Sequence, residues 1–320
     1  MRALAPLLPD AELSALVQRD AAAELPATVR AVTRPVASGA KRALFAMAPV
    51  RGADVVHSLD VDLPIASRAL LVATVHDMSV FDAPWAYGRV RGIGERRLLR
   101  TSLRRADVVL AVSEFTAERV HALLGLDCVV TPLAPAPWAK PPDAEQVQRV
   151  RTRYELPERF VLQVGTVEPR KDVALVAQAA RELEVPCVLA GAGSTGPNAP
   201  MGTMGLGYVD VADLPALYAA ARVVAYASKY EGFALPPVEA MACGAAVVAS
   251  PVGALPQVVR DGAVLADAHT VAAWVAALRP LLCDDAERDG LRHRATLAAA
   301  RLSWSATAEI TRRAYGLTQG

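Results

Sequence analysis

The chain lacks the residue patterns that mark several large classes of protein. Its four cysteines, Cys128, Cys187, Cys243 and Cys283, stand far apart without a C-x-x-C pair. This spacing argues against a zinc cluster or a disulfide framework and favours the cytosol. No run approaches the ~18 uninterrupted apolar residues of a membrane span, and the first residues have no apolar signal core. The formal net charge is only +1, so overall basicity does not indicate a nucleic-acid partner.

What the chain does have is a globular composition and a repeating pattern. Hydrophobic residues make up 53% of its 320 residues and charged residues 21%, which suits two domains of ordinary size. Short β-branched runs alternate with stretches of helical period, as in βα units wound onto parallel sheets. The predicted strands are residues 13–17, 54–57, 71–75, 107–112, 128–130, 160–164, 187–190, 207–209, 223–226 and 245–249.

A proline-rich segment divides this pattern. Five prolines lie between residues 131 and 144, too many for a helix or an inner strand, and they predict a linker. We therefore expect two α/β domains, residues 1–138 and 139–302, that face a cleft. Open α/β sheets bind ligands just beyond the carboxyl ends of their strands.

The stretch YEGFALPPVEAMACG, residues 230–244, carries two acids around a proline pair. The prolines suit the first turn of a helix, so the stretch predicts a loop and a two-turn helix whose unpaired N–H groups form an anion site. Because carboxylates repel phosphate, Glu231 and Glu239 suit hydroxyl groups on either side of it, one on a sugar and one on a ribose. The alternative is that Glu239 only favours the helix dipole and that Glu231 is solvated.

Two cations stand where a helix dipole disfavours them. Arg170 and Lys171 begin a predicted helix in VGTVEPRKDVALVAQAARELE, so their placement calls for an anionic partner, and a diphosphate fits. Two fixed cations can take the place of a divalent metal. The alternative is local pairing with Glu168 and Asp172.

These two stretches resemble the retaining glycosyltransferases of family 4, which have the GT-B architecture and an E-x7-E motif. The resemblance extends from about Asp54 to the end of the chain. It implies two Rossmann-like domains and a terminal helix, residues 303–320, that crosses back to the first domain. It also implies that Arg170 and Lys171 bind the donor diphosphate without a metal, that Glu231 contacts the sugar and that Glu239 contacts the ribose.

The same resemblance predicts further donor contacts and one departure. The additional donor-binding residues are Gly165, Thr166, Gly191, Tyr208, Val209, Gly232, Phe233, Ala234 and Leu235. The loop at Tyr208 and Val209 would meet the base, although Tyr208 is equally compatible with plain packing. The family usually has glycine where this chain has Ala234, so the backbone there must avoid positive φ or be adjusted.

Two other motifs match sites of different classes. GAGSTG, residues 191–196, fits G-x-G-x-x-G and would favour a nicotinamide oxidoreductase, but prolines follow it and no acid lies about 20 residues on. We interpret it as a glycine loop beside the nucleotide. DVD, residues 60–62, fits a D-x-D metal motif but precedes Pro64, and we interpret it as chance. No metal site is expected.

The first domain offers an acceptor-side candidate. His76 and Asp77 end a predicted strand in TVHDMS, where a histidine can orient or polarise an acceptor hydroxyl. The alternative is a histidine satisfied by Asp77; His57 is a weaker candidate of the same kind. Ser113 is predicted to cap a helix.

An arginine-rich run, residues 89–105, contains seven arginines and one acid. A solvated helix face is the simpler interpretation. The other is a surface for anionic lipid or a phosphorylated acceptor, which would place the protein at the inner face of the membrane.

No glycine precedes Gly39, whereas the family begins with a glycine-rich loop that closes over the diphosphate. We expect a first domain shortened at its N-terminus: either the start codon lies upstream or a wall of the active site is absent. The predicted function is transfer of a mannose- or glucose-type hexose from a nucleotide-diphosphate sugar, GDP-mannose preferred, to a saccharide, lipid or small-molecule acceptor. The alternative is a weak or inactive homologue that binds nucleotide sugar or a partner subunit.

Overall fold

The fold consists of two compact α/β units. The computed structural model describes residues 1–37, 41, 45, 47–60 and 62–316. One unit is Met1–Leu133 with Ser303–Gly320, and the other is Ala134–Leu302. The predicted α/β class with parallel sheets is confirmed. The division falls within the proline-rich segment, a few residues before the predicted boundary after Trp138. Gly39 and Val61, which entered two of the predictions, lie outside the described residues.

The first unit contains a four-stranded parallel sheet, in the order β3-β4-β5-β6, and a separate parallel pair, β1-β2. Its strands are β1 (Ser14–Gln18), β2 (Arg30–Arg34), β3 (Val55–Ser58), β4 (Leu70–Val75), β5 (Val108–Ala111) and β6 (Val129–Val130). Three of its α-helices are α1 (Ser79–Asp82), α2 (Arg89–Leu103) and α3 (Glu114–Leu124). Ser113 caps α3 as predicted, because its Oγ accepts the N–H of Thr116 at 3.0 Å. Leu71, Val109 and Leu103 lie in the core between sheet and helices.

The second unit is a six-stranded parallel sheet in the order β12-β11-β10-β7-β8-β9. Its elements are α4 (Ala144–Arg153), β7 (Val161–Val164), α5 (Val173–Glu182), β8 (Cys187–Ala190), β9 (Thr203–Gly205), α6 (Leu214–Ala220), β10 (Val223–Tyr226), α7 (Leu235–Ala242), β11 (Val247–Ala249), α8 (Leu255–Val259), β12 (Val264–Leu265), α9 (Val271–Cys283) and α10 (Asp285–Ala300). The order of the strands reverses between β7 and β10. Such a switch point is where open α/β sheets form their ligand crevice.

Alternating residues of the central strands build two cores, one on each face of this sheet. Leu162 and Val224 belong to one core, and Val161 and Val223 belong to the other. Because both faces are covered, the strands are almost continuously apolar. Complete burial of each such side chain stabilises the fold by about 1.5–3 kcal/mol.

The terminal helix α11 (Trp304–Ala314) belongs to the first unit. Its Thr307 hydroxyl donates to the carbonyl of Pro132. Just beyond the helix, the hydroxyl of Tyr315 lies 2.7 Å from Nδ1 of His57. The last residues of the predicted helix, 317–320, lie outside the described part of the chain. No helix in the described ranges is both long and apolar enough to cross a membrane.

The strands of the structure differ from the predicted ones at three places. The predicted strand at 207–209 is wrong: Gly207 has φ +69°, and the strand that pairs with β8 is Thr203–Gly205. Two short strands, Arg30–Arg34 and Val264–Leu265, were not predicted. Arg30–Arg34 is mostly exposed, so it carries no burial pattern that a sequence could show.

Candidate functional site

The switch point of the second sheet brings the predicted cations and acid together. Strands β7 and β10 are parallel neighbours, with Val161 opposite Val223. The loops that follow them therefore leave the same edge of the sheet. The first loop carries Arg170 and Lys171 on a 3-10 turn that starts at Pro169, and the second carries Glu231.

Glu231 is the centre of a buried ionic cluster. Its carboxylate accepts hydrogen bonds from the Nζ of Lys171, from the Nη1 of Arg170 at 3.4 Å and from the hydroxyl of Ser228 at 2.7 Å. The side chain of Glu231 is only 9% exposed, and that of Lys171 is 13% exposed. The alternative of a merely solvated Glu231 is therefore wrong.

Arg170 is held by further acceptors of the same region. Its Nη1 donates to the carbonyl of Tyr230 at 3.0 Å, and its Nη2 contacts Glu168 at 3.0 Å. The alternative of local pairing is therefore correct for Glu168, although Glu231 is a partner as well. The guanidinium is bound on two sides, so its orientation is fixed.

Asp172 has partners of its own. Its carboxylate contacts Nζ of Lys229 at 2.7 Å and Nε2 of His269 at 2.8 Å. Burial alone would raise the pKa of Asp172, but the hydrogen bonds from Lys229 and His269 outweigh it and lower the pKa. These contacts tie the cationic turn to the loop that contains Glu231.

Glu239 lies on α7, in a different environment. Burial raises the pKa of its carboxyl group, and a hydrogen bond with the backbone of Ala136 opposes that shift. The helix begins at Leu235, so Pro236 and Pro237 occupy its first turn as predicted. Proline has no N–H, so the amide donors of the predicted anion site come from the preceding loop and Leu235 rather than from the prolines.

The loop 231–235 is largely buried. Gly232, Phe233 and Ala234 are buried, and Leu235 is half-buried. Of the two alternatives expected at Ala234, avoidance of positive φ is wrong: its φ is +75° and its ψ is +66°. The chain keeps the backbone conformation that glycine would adopt, with a methyl group buried in the core.

Two glycines meet at the ends of β7 and β8. Gly191 has φ +126°, and a Cβ atom there would lie 2.4 Å from the carbonyl oxygen of Gly165. A side chain at 191 is therefore impossible without moving the loop that leads to Arg170. Thr166 is exposed beside them. Turns follow GAGSTG, with no helix directly after it, as expected of a loop that is not a dinucleotide fingerprint.

Tyr208 and Val209 have opposite environments. Tyr208 is 83% exposed and Val209 is 5% exposed. Packing is thus the role of Val209, whereas the ring of Tyr208 is accessible to a ligand.

In the first unit, His76 is exposed at the end of β4. Its Nε2 lies 2.9 Å from the carbonyl oxygen of Leu59. Asp77 accepts instead from the backbone N–H of Ser79 at 2.8 Å, so the alternative of a His76–Asp77 pair is not what forms. His57 is enclosed: burial, the chain's amino group and His76 lower its pKa to about 4.

Sequence reasoning missed Ser228 and Gly253. Ser228 follows β10 at the ligand-binding edge, a position that could have drawn attention to it. Gly253 has φ +58°, and a Cβ atom there would lie 2.2 Å from the carbonyl oxygen of Glu231. The N–H of Ala254 donates to that oxygen at 2.9 Å. The backbone of Glu231 thus depends on a glycine in a neighbouring loop, which only the fold reveals.

Among the described residues, no group of three or more His, Cys, Asp or Glu side chains is placed to hold a metal ion. The side chains at the switch point instead provide cationic and hydroxyl hydrogen-bond donors, together with carboxylates. The donors can bind an oxyanion, and the carboxylates can accept hydrogen bonds from hydroxyl groups.

Two family models match the two halves of the chain. "Glycosyltransferase Family 4" matches residues 12–133, and "Glycosyl transferases group 1" matches residues 145–298. The O-antigen chain mannosyltransferase B of Escherichia coli is 35% identical over 266 residues, which cover 77% of this chain and 70% of that protein. The chain belongs to the GT-B glycosyltransferases.

Solved structures agree with this glycosyltransferase fold. Sucrose-phosphate synthase from Thermosynechococcus elongatus aligns over 98% of this chain and 90% of its own, with a TM-score of 0.78 and 20% identity. HepE of Anabaena in complex with UDP-glucose aligns over 78% of this chain and 73% of its own, with a TM-score of 0.67 and 20% identity.

Proposed function

We propose that this glycosyltransferase moves a hexose from a nucleoside-diphosphate sugar to an acceptor hydroxyl, with retention at the anomeric carbon and without a metal ion. The observation that carries the proposal is the convergence of Arg170 and Lys171 on Glu231 at the switch point. The mannosyltransferase relative makes mannose the first candidate hexose. The neighbour bound to UDP-glucose supports a nucleotide-sugar donor.

Arg170 and Lys171 would bind the diphosphate. Each charge-assisted hydrogen bond to a phosphate contributes roughly 1.5–3 kcal/mol, and more as charge develops on the leaving group. Without donor, Glu231 and Glu168 neutralise these cations and hold them in place. The guanidinium has five donors, so Arg170 can keep Glu168 while it binds a phosphate oxygen.

The contacts of Glu231 favour a positioning role over covalent catalysis. A carboxylate that already accepts from a lysine, an arginine and a serine is a weak nucleophile. We therefore favour same-face substitution: the bond from the anomeric carbon to the diphosphate oxygen breaks, the acceptor oxygen bonds to that carbon on the same face, and the acceptor proton passes to the departing phosphate. Glu231 accepts hydrogen bonds from the sugar hydroxyls as positive charge develops on the ring.

The positions of the other predicted donor-binding residues indicate which part of the nucleotide sugar each would contact. Gly165, Thr166 and Gly191 border the diphosphate with their backbone, and Glu239 accepts from the ribose hydroxyls. The exposed ring of Tyr208 stacks on the base.

On the acceptor side, His76 orients the attacking hydroxyl. Its exposed ring stands at the carboxyl end of β4, the edge at which such sheets bind ligands.

We also propose that α2 contacts an anionic membrane surface. The beginning of this helix and the turn before it expose Trp85 (53%), Val90 (86%) and Ile93 (62%). Arg97 and Arg100 are exposed farther along the same helix, and Arg104 is exposed directly after it. Apolar groups beside cations complement lipid with negatively charged headgroups.

The test is release of nucleoside diphosphate from GDP-, UDP- and ADP-hexoses, measured with and without EDTA. We expect turnover with one of them, unchanged by EDTA, and at least a tenfold loss for Lys171→Ala. Lys140→Ala, an exposed lysine of the same unit, is the matched control. Binding of donor without turnover would favour the inactive-homologue alternative, and loss of activity with EDTA would refute the metal-independent mechanism.

A further inference from the structure

A second concave site lies in the same unit as the proposed donor site. It is a cavity of about 500 Å³. Glu158 and Arg159 precede β7 and Arg222 precedes β10, so the cavity opens at the amino ends of these strands. The donor loops leave the carboxyl ends. A four-residue strand is roughly 13 Å long, so the two sites are separated by about the length of these strands.

Arginines dominate the cavity wall. They come from α4, from the loop before β7, from the residue before β10 and from α10. The five are Arg151, Arg159, Arg222, Arg288 and Arg292.

The charge of the wall is not balanced. Its acids are Glu158 and Asp285, so five positive and two negative charges leave +3. Asp289 contacts Arg288 at 2.9 Å and Arg292 at 3.6 Å, and counting it still leaves +2. Like charges that converge in a cavity repel one another unless an anion is bound.

Three of these arginines are held by backbone acceptors, and one of them, Arg159, donates to the carbonyl of Leu282. Arg151 donates to the carbonyl oxygens of Pro157 at 3.0 Å and Ala220 at 2.6 Å. Arg292 donates from Nε to the carbonyl of Gly244 at 2.6 Å. Carbonyl acceptors orient a guanidinium without removing its charge, so the positive field in the cavity is preorganised.

One N–H group of Arg222 has no hydrogen-bond acceptor among the described residues. Its Nη2 contacts Asp285, but its Nε is buried and has no hydrogen-bond partner among the described residues. The same Asp285 oxygen contacts Arg288 at 2.7 Å. One carboxylate thus serves two guanidinium groups, and a buried N–H of Arg222 is left unsatisfied, which is costly. A bound oxyanion would give the two guanidinium groups a second acceptor.

We propose that this cavity binds a phosphate-bearing ligand with two or more negative charges, separately from the nucleotide sugar. The guanidinium fork matches phosphate oxygens in bidentate geometry. The wall contains no aromatic side chain, and its uncharged part is Ala219, Ala220, Ala221 and Cys283. The recognised group is therefore the oxyanion rather than a base or the face of a sugar ring.

The experiment is calorimetric titration of the full chain with inorganic pyrophosphate. The Lys171→Ala background is used so that the donor site contributes little. Arg288→Gln should weaken pyrophosphate binding at least tenfold, because it removes charge-assisted hydrogen bonds. Asp285→Asn should strengthen binding, because the internal competitor becomes neutral. Arg301→Gln, which removes a surface arginine that pairs with Asp261, should leave the affinity unchanged.

The opposite signs of the two variants separate an anion site from a set of structural ion pairs. Equal affinity of Arg288→Gln and the Arg301→Gln control, or weaker binding by Asp285→Asn, would overturn the proposal. Arg159→Gln, at an exposed arginine of the wall, replaces Arg288→Gln if that variant does not fold.

A parallel titration with a hexose 6-phosphate identifies the source of the phosphate. Tighter binding of the sugar phosphate assigns the site to a phosphorylated saccharide, and tighter binding of pyrophosphate assigns it to a free inorganic anion. Failure of both would overturn the proposal.

Discussion

Two residues other than glycine that have positive φ angles flank the proposed donor site. Asp172, directly after the cationic turn, has φ +38°, and Ala234, directly before α7, has φ +75°. A left-handed conformation costs an L-residue about 1–2 kcal/mol. At Asp172 the cost is offset by contacts with Lys229 and His269. At Ala234 the compensating feature is a buried methyl group.

The strain at Ala234 leads to a stability prediction. Ala234→Gly relieves roughly 1–2 kcal/mol of backbone strain but loses about 0.8 kcal/mol of methyl burial and about 0.4–1 kcal/mol through the freer unfolded chain. We therefore expect the free energy of unfolding to change by less than about 1 kcal/mol. Denaturant unfolding measures this change.

Glu155 is the matched control for this reasoning. It has φ +48°, is exposed and follows α4 where helices prefer glycine. It has no buried methyl group to lose, so Glu155→Gly should stabilise the protein by about 0.5–1 kcal/mol. A clear gain for Ala234→Gly together with no gain for Glu155→Gly would contradict the explanation.

The candidate cations were predictable from sequence because they stand at a helix start where the dipole disfavours them. The ion pairs of Glu231 were not predictable, since they require β7 and β10 to be neighbours although about 60 residues separate them. The same limit applies to Gly253, whose need for a small residue arises from the carbonyl of Glu231. Local chemistry appears in the sequence, whereas contacts made across the sheet do not.

At the scale of elements, α2 carries the proposed membrane contact. Its exposed arginines should make binding depend on anionic lipid and weaken at high salt. We expect the protein to sediment with phosphatidylglycerol vesicles and not with phosphatidylcholine vesicles. One arginine near an anionic surface contributes about 1 kcal/mol, so Arg97→Gln should weaken binding roughly fivefold.

The control for that measurement is Arg294→Gln, which removes an exposed arginine of the second unit. Equal loss of binding in Arg97→Gln and Arg294→Gln would indicate a general charge effect and not a surface on α2. Binding to both kinds of vesicle alike would also contradict the proposal.

Elements with an apolar pattern were predictable, and those without one were not. The strand Cys187–Ala190 was predicted with the observed bounds, because it is a short apolar run bounded by Pro186 and Gly191. Thr203–Gly205 was missed because glycines surround it and its pairing with β8 determines its conformation. The helix after Glu231 was predictable from its proline pair.

At the scale of the whole molecule, the strand order of the second unit explains where its chemistry lies. Because the order reverses between β7 and β10, the loops after these strands form the crevice that holds Arg170, Lys171 and Glu231. The arginine-lined cavity lies at the other ends of the same strands. The alternation of strands and helices predicted this class of fold, while the order within the sheet follows from packing between distant segments.

The most direct test of the account is a crystal structure of the chain with a nucleoside-diphosphate hexose. The account predicts that Nζ of Lys171 and the guanidinium of Arg170 lie within about 3 Å of the diphosphate oxygens. It also predicts that Glu231 accepts from the sugar hydroxyls and Glu239 from the ribose. A complex in which both cations remain on Glu231 and the diphosphate binds elsewhere would contradict it.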